Sequence, residues 1–450
     1  MSSYFCDLAW LPSGRLAADV VIDVEGDRLG RVAPGVDVPA SAQRLRGLVL
    51  PGLANGHSHA FHRALRGRTH AGHGTFWTWR DRMYEVAAAL DPDSYLALAR
   101  ACFAEMTLAG FTSVGEFHYL HHQQGGRPYA DPNAMGRALI QAAREAGVRI
   151  TLLDTCYVAG GIGRDTQGVQ RRFDDGDARA WAARVEDLHR DHAGATDVRV
   201  GAAIHSVRAV PAEQIPLVAS WAASRAAPLH VHVSEQPAEN EQCLAGYGMT
   251  PTGLLASRGA LSDRTTVVHA THLTAEDIRG LGESGTYACL CPTTERDLGD
   301  GVGPARDLLD AGVRLTLGSD SHASIDAFDE ARALEGGLRL TTLQRGHLTV
   351  AELIAALGVD GQASLGFHDA GRLEPGARAD LVAVDLKSVR TAGASASTAP
   401  AAVLFAAGPA DVTDVIIGGR RVVRDRQHVL GDVGALLDDA IATVFDGERP

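Results

Sequence analysis

Through the middle of the chain, short apolar runs alternate with longer segments whose apolar residues recur at helical spacing. The runs predict strands at Leu48–Leu53, Thr112–Phe117, Arg149–Asp154, Val198–Ile204, Leu229–Val233, Thr265–His269, Thr286–Leu290 and Val313–Gly318. Ala-, Arg-, Leu- and Glu-rich segments such as Pro132–Ala146 and Ala178–His192 lie between most of them. Eight such units over roughly 250–300 residues predict an α/β fold with a parallel sheet closed into a (β/α)8 TIM-like barrel. The two ends of the chain have another texture. Ala18–Glu25, Ala379–Asp385 and Val415–Arg424 are short Val-rich runs bounded by turn residues, and Gly418-Gly419 is a hairpin signal. Residues 1–48 and 372–450 are therefore expected to build one small β-sandwich domain together, with 49–371 forming the barrel.

In a barrel of this kind, functional side chains stand at the C-terminal ends of strands. The first apolar run leads into Pro51-Gly-Leu-Ala-Asn-Gly-His57-Ser-His59, where the glycines and asparagine read as the turn that ends the strand. His57 and His59, two apart, face the same side. The later ends carry Glu116-Phe-His118-Tyr119 followed by His121 and His122, then His205-Ser-Val-Arg208, His230-Val-His232-Val-Ser-Glu235, His269-Ala-Thr-His272 and Gly318-Ser-Asp320-Ser-His322. Singly these mean little: His232 or His269 alone is as readily a buried, hydrogen-bonded histidine, and Asp320 a helix cap. Together, His57, His59, His232 and Asp320 offer three imidazoles and a carboxylate to one divalent cation. That donor set suits Zn2+, with Fe2+ the alternative. Glu235, three residues past His232, is placed to move protons beside an activated water, and His269 to hydrogen-bond it. His230 ranks below His232, and His118, His121, His122 and His322 read as supporting or surface residues.

Composition narrows the functional classes. Apolar residues at 45% and charged residues at 22% are ordinary for a soluble globular protein. A net charge of −13 excludes a general nucleic-acid binder and requires an anionic substrate to find a local cluster of cations. Lys387 is the sole lysine, so no earlier lysine is available to an active site. The six cysteines are scattered, with no C-x-x-C pair, which argues against a disulfide framework or a structural zinc site. No run approaches the ~20 apolar residues of a membrane helix and no signal peptide is evident, so a cytoplasmic location with no membrane partner is expected.

The ordered set of His-x-His, a fifth-strand His with its following Glu, a sixth-strand His and an eighth-strand Asp resembles the amidohydrolase superfamily. Many members hold two metals bridged by a carboxylated lysine. Without a lysine before Lys387, the resemblance is to the single-metal deaminase branch. Phe76-Trp-Thr-Trp-Arg80, Glu116-Phe-His-Tyr-Leu-His-His122, His205-Ser-Val-Arg-Ala-Val210, Val268-His-Ala-Thr-His272, Cys291-Pro-Thr-Thr-Glu-Arg-Asp-Leu-Gly-Asp-Gly301 and Gly318-Ser-Asp-Ser-His322 are similar to the formimidoylglutamate deiminases of histidine degradation, from about residue 48 to 325. That likeness implies hydrolysis of N-formimidoyl-L-glutamate to N-formyl-L-glutamate and ammonia. It also implies a small substrate with two carboxylates, carboxylate contacts from Arg80, Tyr119, His205 and Arg208, and a homodimer. Arg208 at a strand end points the same way on its own, because arginine grips carboxylates through paired N–H groups. Arg82 competes with Arg80, and Trp77 and Trp79 are expected to pack the loop as a lid. One departure is His62, where that family carries Gln; either side chain can hydrogen-bond a carboxylate, so His62 stays a candidate substrate contact, but only His titrates. The rival readings are another mononuclear amidohydrolase, acting on a cyclic base or opening a ring, and a non-catalytic barrel scaffold.

Overall fold

The computed structural model describes residues 2–70 and 76–445, apart from the side chains of Phe76 and Trp77. The packing expected of Trp77 thus lies outside the described residues. Eight strands, Leu53–Ser58, Phe111–His118, Arg149–Cys156, Val198–Ile204, Leu229–Val233, Thr265–His269, Tyr287–Leu290 and Arg314–Leu317, pair in sequence order, each parallel to the next. Nearly all their residues are buried, as expected of a parallel sheet covered by helices outside and filled by side chains inside. The covering helices start where the sequence supplies an acceptor for free N–H groups: Asp91 caps Pro92–Leu108, Asp177 caps Ala178–Asp191 and Thr274 caps Ala275–Ser284. The barrel closes between its first and last strands at a bridge from Ser58 to Asp320. There Asp320 N donates to His57 O at 3.0 Å, and His59 N donates to Asp320 O at 3.2 Å. Three of the candidate metal residues therefore sit on the closing seam.

The first barrel strand differs from its expected position. The run expected at Leu48–Leu53 lies mostly in Gln43–Pro51, a strand of the terminal sheet, and the barrel begins at Leu53. Pro51 has no N–H for a ladder. At Gly52 a Cβ would stand 2.4 Å from Thr112 Oγ1, so the chain crosses between sheets where only glycine fits. The expected turn after Leu53 is strand instead. Gly56 is closely packed, with Cys289 Sγ 3.0 Å from where its Cβ would be, and Asn55 donates to Ser319 Oγ at 2.6 Å inside the barrel.

The chain ends do join. Ser2–Leu11, Arg15–Glu25, Arg28–Ala33 and Gln43–Pro51 combine with Leu381–Val384, Val412–Ile417, Arg420–Arg424 and Gln427–His428 in one continuous eight-stranded sheet. All its pairings are antiparallel except that of Ser2–Leu11 with Gln43–Pro51. One face gathers its own core around Tyr4, Val20, Ile22, Leu45, Val49 and Leu381. Alternate residues Leu48, Leu50, Val382 and Val415 point the other way, into the barrel's hydrophobic core. A buried pair between Arg149 and Asp380 ties sheet to barrel, with Arg149 Nη1 donating at 2.9 Å. Among the described residues, no helix is long and apolar enough to cross a membrane.

Candidate active site

His57 and His59 share a face of the first barrel strand and its end, and their Nε2 atoms lie 3.1 Å apart. His232, in the fifth strand, brings its Nε2 to 3.1 Å from that of His57. Asp320, just past the eighth strand, places Oδ1 at 3.3 Å from the Nε2 atoms of both His57 and His59. All four donor atoms lie within 4.8 Å of one another, and all four residues are buried. A tetrahedral site with bonds of about 2.0–2.1 Å spaces its donors by about 3.4 Å, so this set fits a divalent cation. The far ring nitrogens support the fit. His59 Nδ1 donates to Phe117 O and His232 Nδ1 to His205 O, each at 2.9 Å, which turns both Nε2 lone pairs toward the shared point. Burial drives the His57 pKa down to about 3 and lowers those of His59 and His232, leaving the neutral rings that ligation requires. Burial alone would raise the Asp320 carboxyl, but its His57 hydrogen bond and the facing imidazoles outweigh this and hold it ionised.

Two further groups flank the cluster. His269 Nε2 lies 3.7 Å from Glu235 Oε1 and 4.0 Å from Asp320 Oδ2, so the three expected catalytic side chains do meet. Burial raises the Glu235 carboxyl above its ordinary range, which suits a group that must carry a proton. Burial would lower the His269 ring, but Glu235, Glu295 and Asp320 together hold it well above its ordinary value. Glu295 was not singled out from the sequence. Its Oε1 accepts from Cys291 N at 2.8 Å and lies 3.5 Å from His269 Nδ1, which points the other ring nitrogen at the cluster. The backbone at these strand ends is strained: Ser234, His269, Ala270, Asp320 and His322 all have φ between 41° and 68°.

A cavity of about 480 Å3 opens on the cluster. Arg80, Tyr119, His205, Arg208 and His62 all line it, as do Glu235, His269 and Asp320. Arg82 does not; it is exposed and pairs with Glu85 at 2.8 Å. Trp79 reaches the cavity too, meeting the His62 ring edge-on at 5.2 Å. His62 Nε2 lies 3.0 Å from Tyr119 Oη. Arg208 has one loose ion pair, Nε to Glu239 Oε2 at 3.7 Å. Gln170, Tyr84, Tyr157 and Arg164 also line the cavity and were not anticipated. Gln170 and Arg164 lie on loop structure after the third strand, where no strand-end pattern marks them.

Below the cluster, Ser58 Oγ donates to Glu116 Oε2 at 2.6 Å and stands 3.1 Å from His322 Nε2, which anchors the segment between the two first-strand histidines. His118, His121, His122 and His322 are all buried, which corrects the surface alternative expected for them. His230 Nε2 faces Ser364 O at 3.3 Å, away from the cluster.

Comparison with known proteins places this arrangement. The amidohydrolase family pattern matches residues 48–422. The chain is 38% identical over 439 residues to formimidoylglutamate deiminase of Pseudomonas aeruginosa, covering 95% of this chain and 96% of that one. It is 31% identical over 401 residues to 8-oxoguanine deaminase of the same species, covering 87% and 86%. A solved amidohydrolase from Brucella melitensis superposes with a TM-score of 0.92 at 32% identity, covering 99% of this chain and 100% of that one. The family match begins in the last N-terminal strand of the terminal sheet, runs through every barrel strand and ends in the C-terminal hairpin. The chain therefore belongs to the amidohydrolase family and is a metal-dependent hydrolase of carbon–nitrogen bonds.

Proposed function

We propose that the protein hydrolyses N-formimidoyl-L-glutamate to N-formyl-L-glutamate and ammonia, with one divalent cation, Zn2+ before Fe2+, held by His57, His59, His232 and Asp320. The observation that carries this reading is a single cavity lined both by His59, His232 and Asp320 of the four-donor cluster and by Arg80 and Arg208. A linear amidine bearing two carboxylates uses all three features. The 38% identity to formimidoylglutamate deiminase supports the same substrate. A purine, the substrate type of the 8-oxoguanine deaminase relative, carries no carboxylate for Arg80 or Arg208 to bind.

When bound, the cation supplies Lewis acidity that lowers the pKa of a water toward about 7. The chain's residues do the rest. Arg80 and Arg208, with Tyr119, His205 and His62, bind and orient the substrate carboxylates. His269, held by Glu295, hydrogen-bonds the attacking water, and Asp320 accepts its proton. The water oxygen bonds to the formimino carbon while Glu235 protonates the formimino nitrogen. Both protons of the water end on that nitrogen, the carbon–nitrogen bond breaks, and ammonia leaves as the formyl carbonyl forms. A cytoplasmic homodimer acting in histidine degradation completes the reading, and sedimentation tests the dimer.

The direct experiment measures ammonia release from N-formimidoyl-L-glutamate, N-guanidino-L-glutamate, N-formimidoyl-L-aspartate and 8-oxoguanine. Release from the first, with N-formyl-L-glutamate as co-product, is expected. Release from 8-oxoguanine alone would overturn the proposal.

A further inference from the structure

Two arginines that hold the two ends of one small molecule must themselves be held at a fixed separation. Arg80 stands on the helix Phe76–Ala89, outside the barrel strands, whereas Arg208 follows the fourth barrel strand. The packing between helix and strand-end loop has to set the distance. Gln170, on the single turn Gly168–Arg172, lies at that junction. Its Nε2 donates to Tyr84 Oη at 3.2 Å and to Tyr157 Oη at 3.1 Å. Its Oε1 accepts from Gln167 N at 3.0 Å, so the amide cannot turn without losing a bond.

Each phenol leads to one side of the cavity. Tyr84 shares the helix of Arg80, whose guanidinium carbon lies 5.5 Å from the centre of the Tyr84 ring. Tyr157 follows the third strand and meets the His205 ring edge-on at 4.5 Å, three residues before Arg208 in the chain. The same turn grips the end of the Arg80 helix a second time. Buried Arg172 donates to Ala87 O, to Leu90 O at 2.7 Å and to His122 O at 2.8 Å, joining that helix to the loop after the second barrel strand.

We propose that Gln170 is a specificity-determining residue: by bridging Tyr84 and Tyr157 it fixes the separation of the Arg80 and Arg208 sides of the cavity, and so selects the length of a dicarboxylate substrate. This rests on the reading that the substrate carries two carboxylates held by those arginines. Glutamate and aspartate skeletons differ by one methylene, and a misplacement of about 1 Å at a reacting centre can cost about 10²-fold in rate.

The test compares kcat/KM for N-formimidoyl-L-glutamate and N-formimidoyl-L-aspartate in the wild type, Gln170→Ala, Tyr84→Phe and the double variant, with metal content and melting temperature measured alongside. The wild type is expected to prefer the longer substrate. Gln170→Ala should lower the glutamate-to-aspartate ratio by about tenfold or more. Tyr84→Phe should move the ratio in the same direction and add little to Gln170→Ala, because the two changes break one bridge. An unchanged ratio in folded, metal-loaded Gln170→Ala overturns the inference, as does a wild type without preference. If Gln170→Ala fails to fold, Tyr84→Phe decides in the same way. A wild type that releases ammonia from neither compound overturns the underlying substrate reading and this inference with it. Wild-type turnover of the glutamate compound with a fixed ratio overturns the inference alone.

Discussion

His57, His59, His232 and Asp320 bring their donor atoms within 4.8 Å of one another, and so do His118, His121 and Asp154. Residue types and burial are alike in the two clusters; the difference lies in what already engages each carboxylate. The side-chain ion pairs of Asp320 are with imidazoles, those of His57, His59 and His269. Asp154 is held by two N–H groups of Arg184, at 2.9 and 2.8 Å, and by Trp181 Nε1 at 3.0 Å. Arg184 reaches on to Asp175, also at 2.8 Å, and His121 Nε2 donates to Thr155 O at 2.9 Å. A cation placed there would face a guanidinium and at least one ring nitrogen turned elsewhere. The first cluster leaves its charge and lone pairs converging; the second has balanced its own and works as a structural tie.

The sharpest break in that contrast is Asp320→Ala. Losing the carboxylate at the seam should remove both the bound metal and turnover, at least about 10³-fold, as expected when several kcal/mol of Lewis-acid help disappear. His121→Phe, in the other cluster, should leave metal content unchanged; elemental analysis of both variants checks the pair. Glu235→Gln should keep the metal and lose about 10²–10⁴-fold in kcat, read from ammonia release.

Arg184→Met tests the structural cluster. It strands two buried carboxylates and should cost about 3–5 kcal/mol of stability in denaturant unfolding, with metal content per folded chain preserved. Its pH dependence follows from the shifts. Burial raises Asp154 and Asp175, but Arg184 outweighs it and both lie below their ordinary values. Groups depressed on folding contribute their full stability above the unfolded value of about 4 and lose it as pH falls through the folded one. The deficit of Arg184→Met should therefore be largest near neutrality and narrow on acidification below about pH 4. The smallest effect expected is that of Glu295→Gln, which keeps an acceptor for His269 but removes its charge; a loss of about 10–100-fold in kcat at unchanged metal content would fit an orienting role.

Much of this site was legible because barrel strands announce themselves. Seven apolar runs fall on barrel strands within a residue or two, and five of them end in the singled-out His, Glu, Arg or Asp residues. The first strand was displaced because its polar and small residues, Asn55 and Gly56, are the ones that fit a crowded interior, so they imitate a turn. The burial of His121 and His122 was hidden because their backbone is tied to Arg172, about 50 residues further along the chain. Gln170 and Tyr84 are 86 residues apart, and nothing local in either stretch foretells their contact. Glu295 lies in the Cys291–Gly301 stretch, yet it faces His269 from a different strand end, a contact that no local pattern marks.

Metal stoichiometry tests the contrast between the clusters most directly. Elemental analysis of the purified wild type, His121→Phe and Asp320→Ala should give about one divalent cation per chain in the first two and almost none in the third. Two cations per wild-type chain, or one retained in Asp320→Ala and lost in His121→Phe, would contradict the assignment of the seam cluster as the sole metal centre.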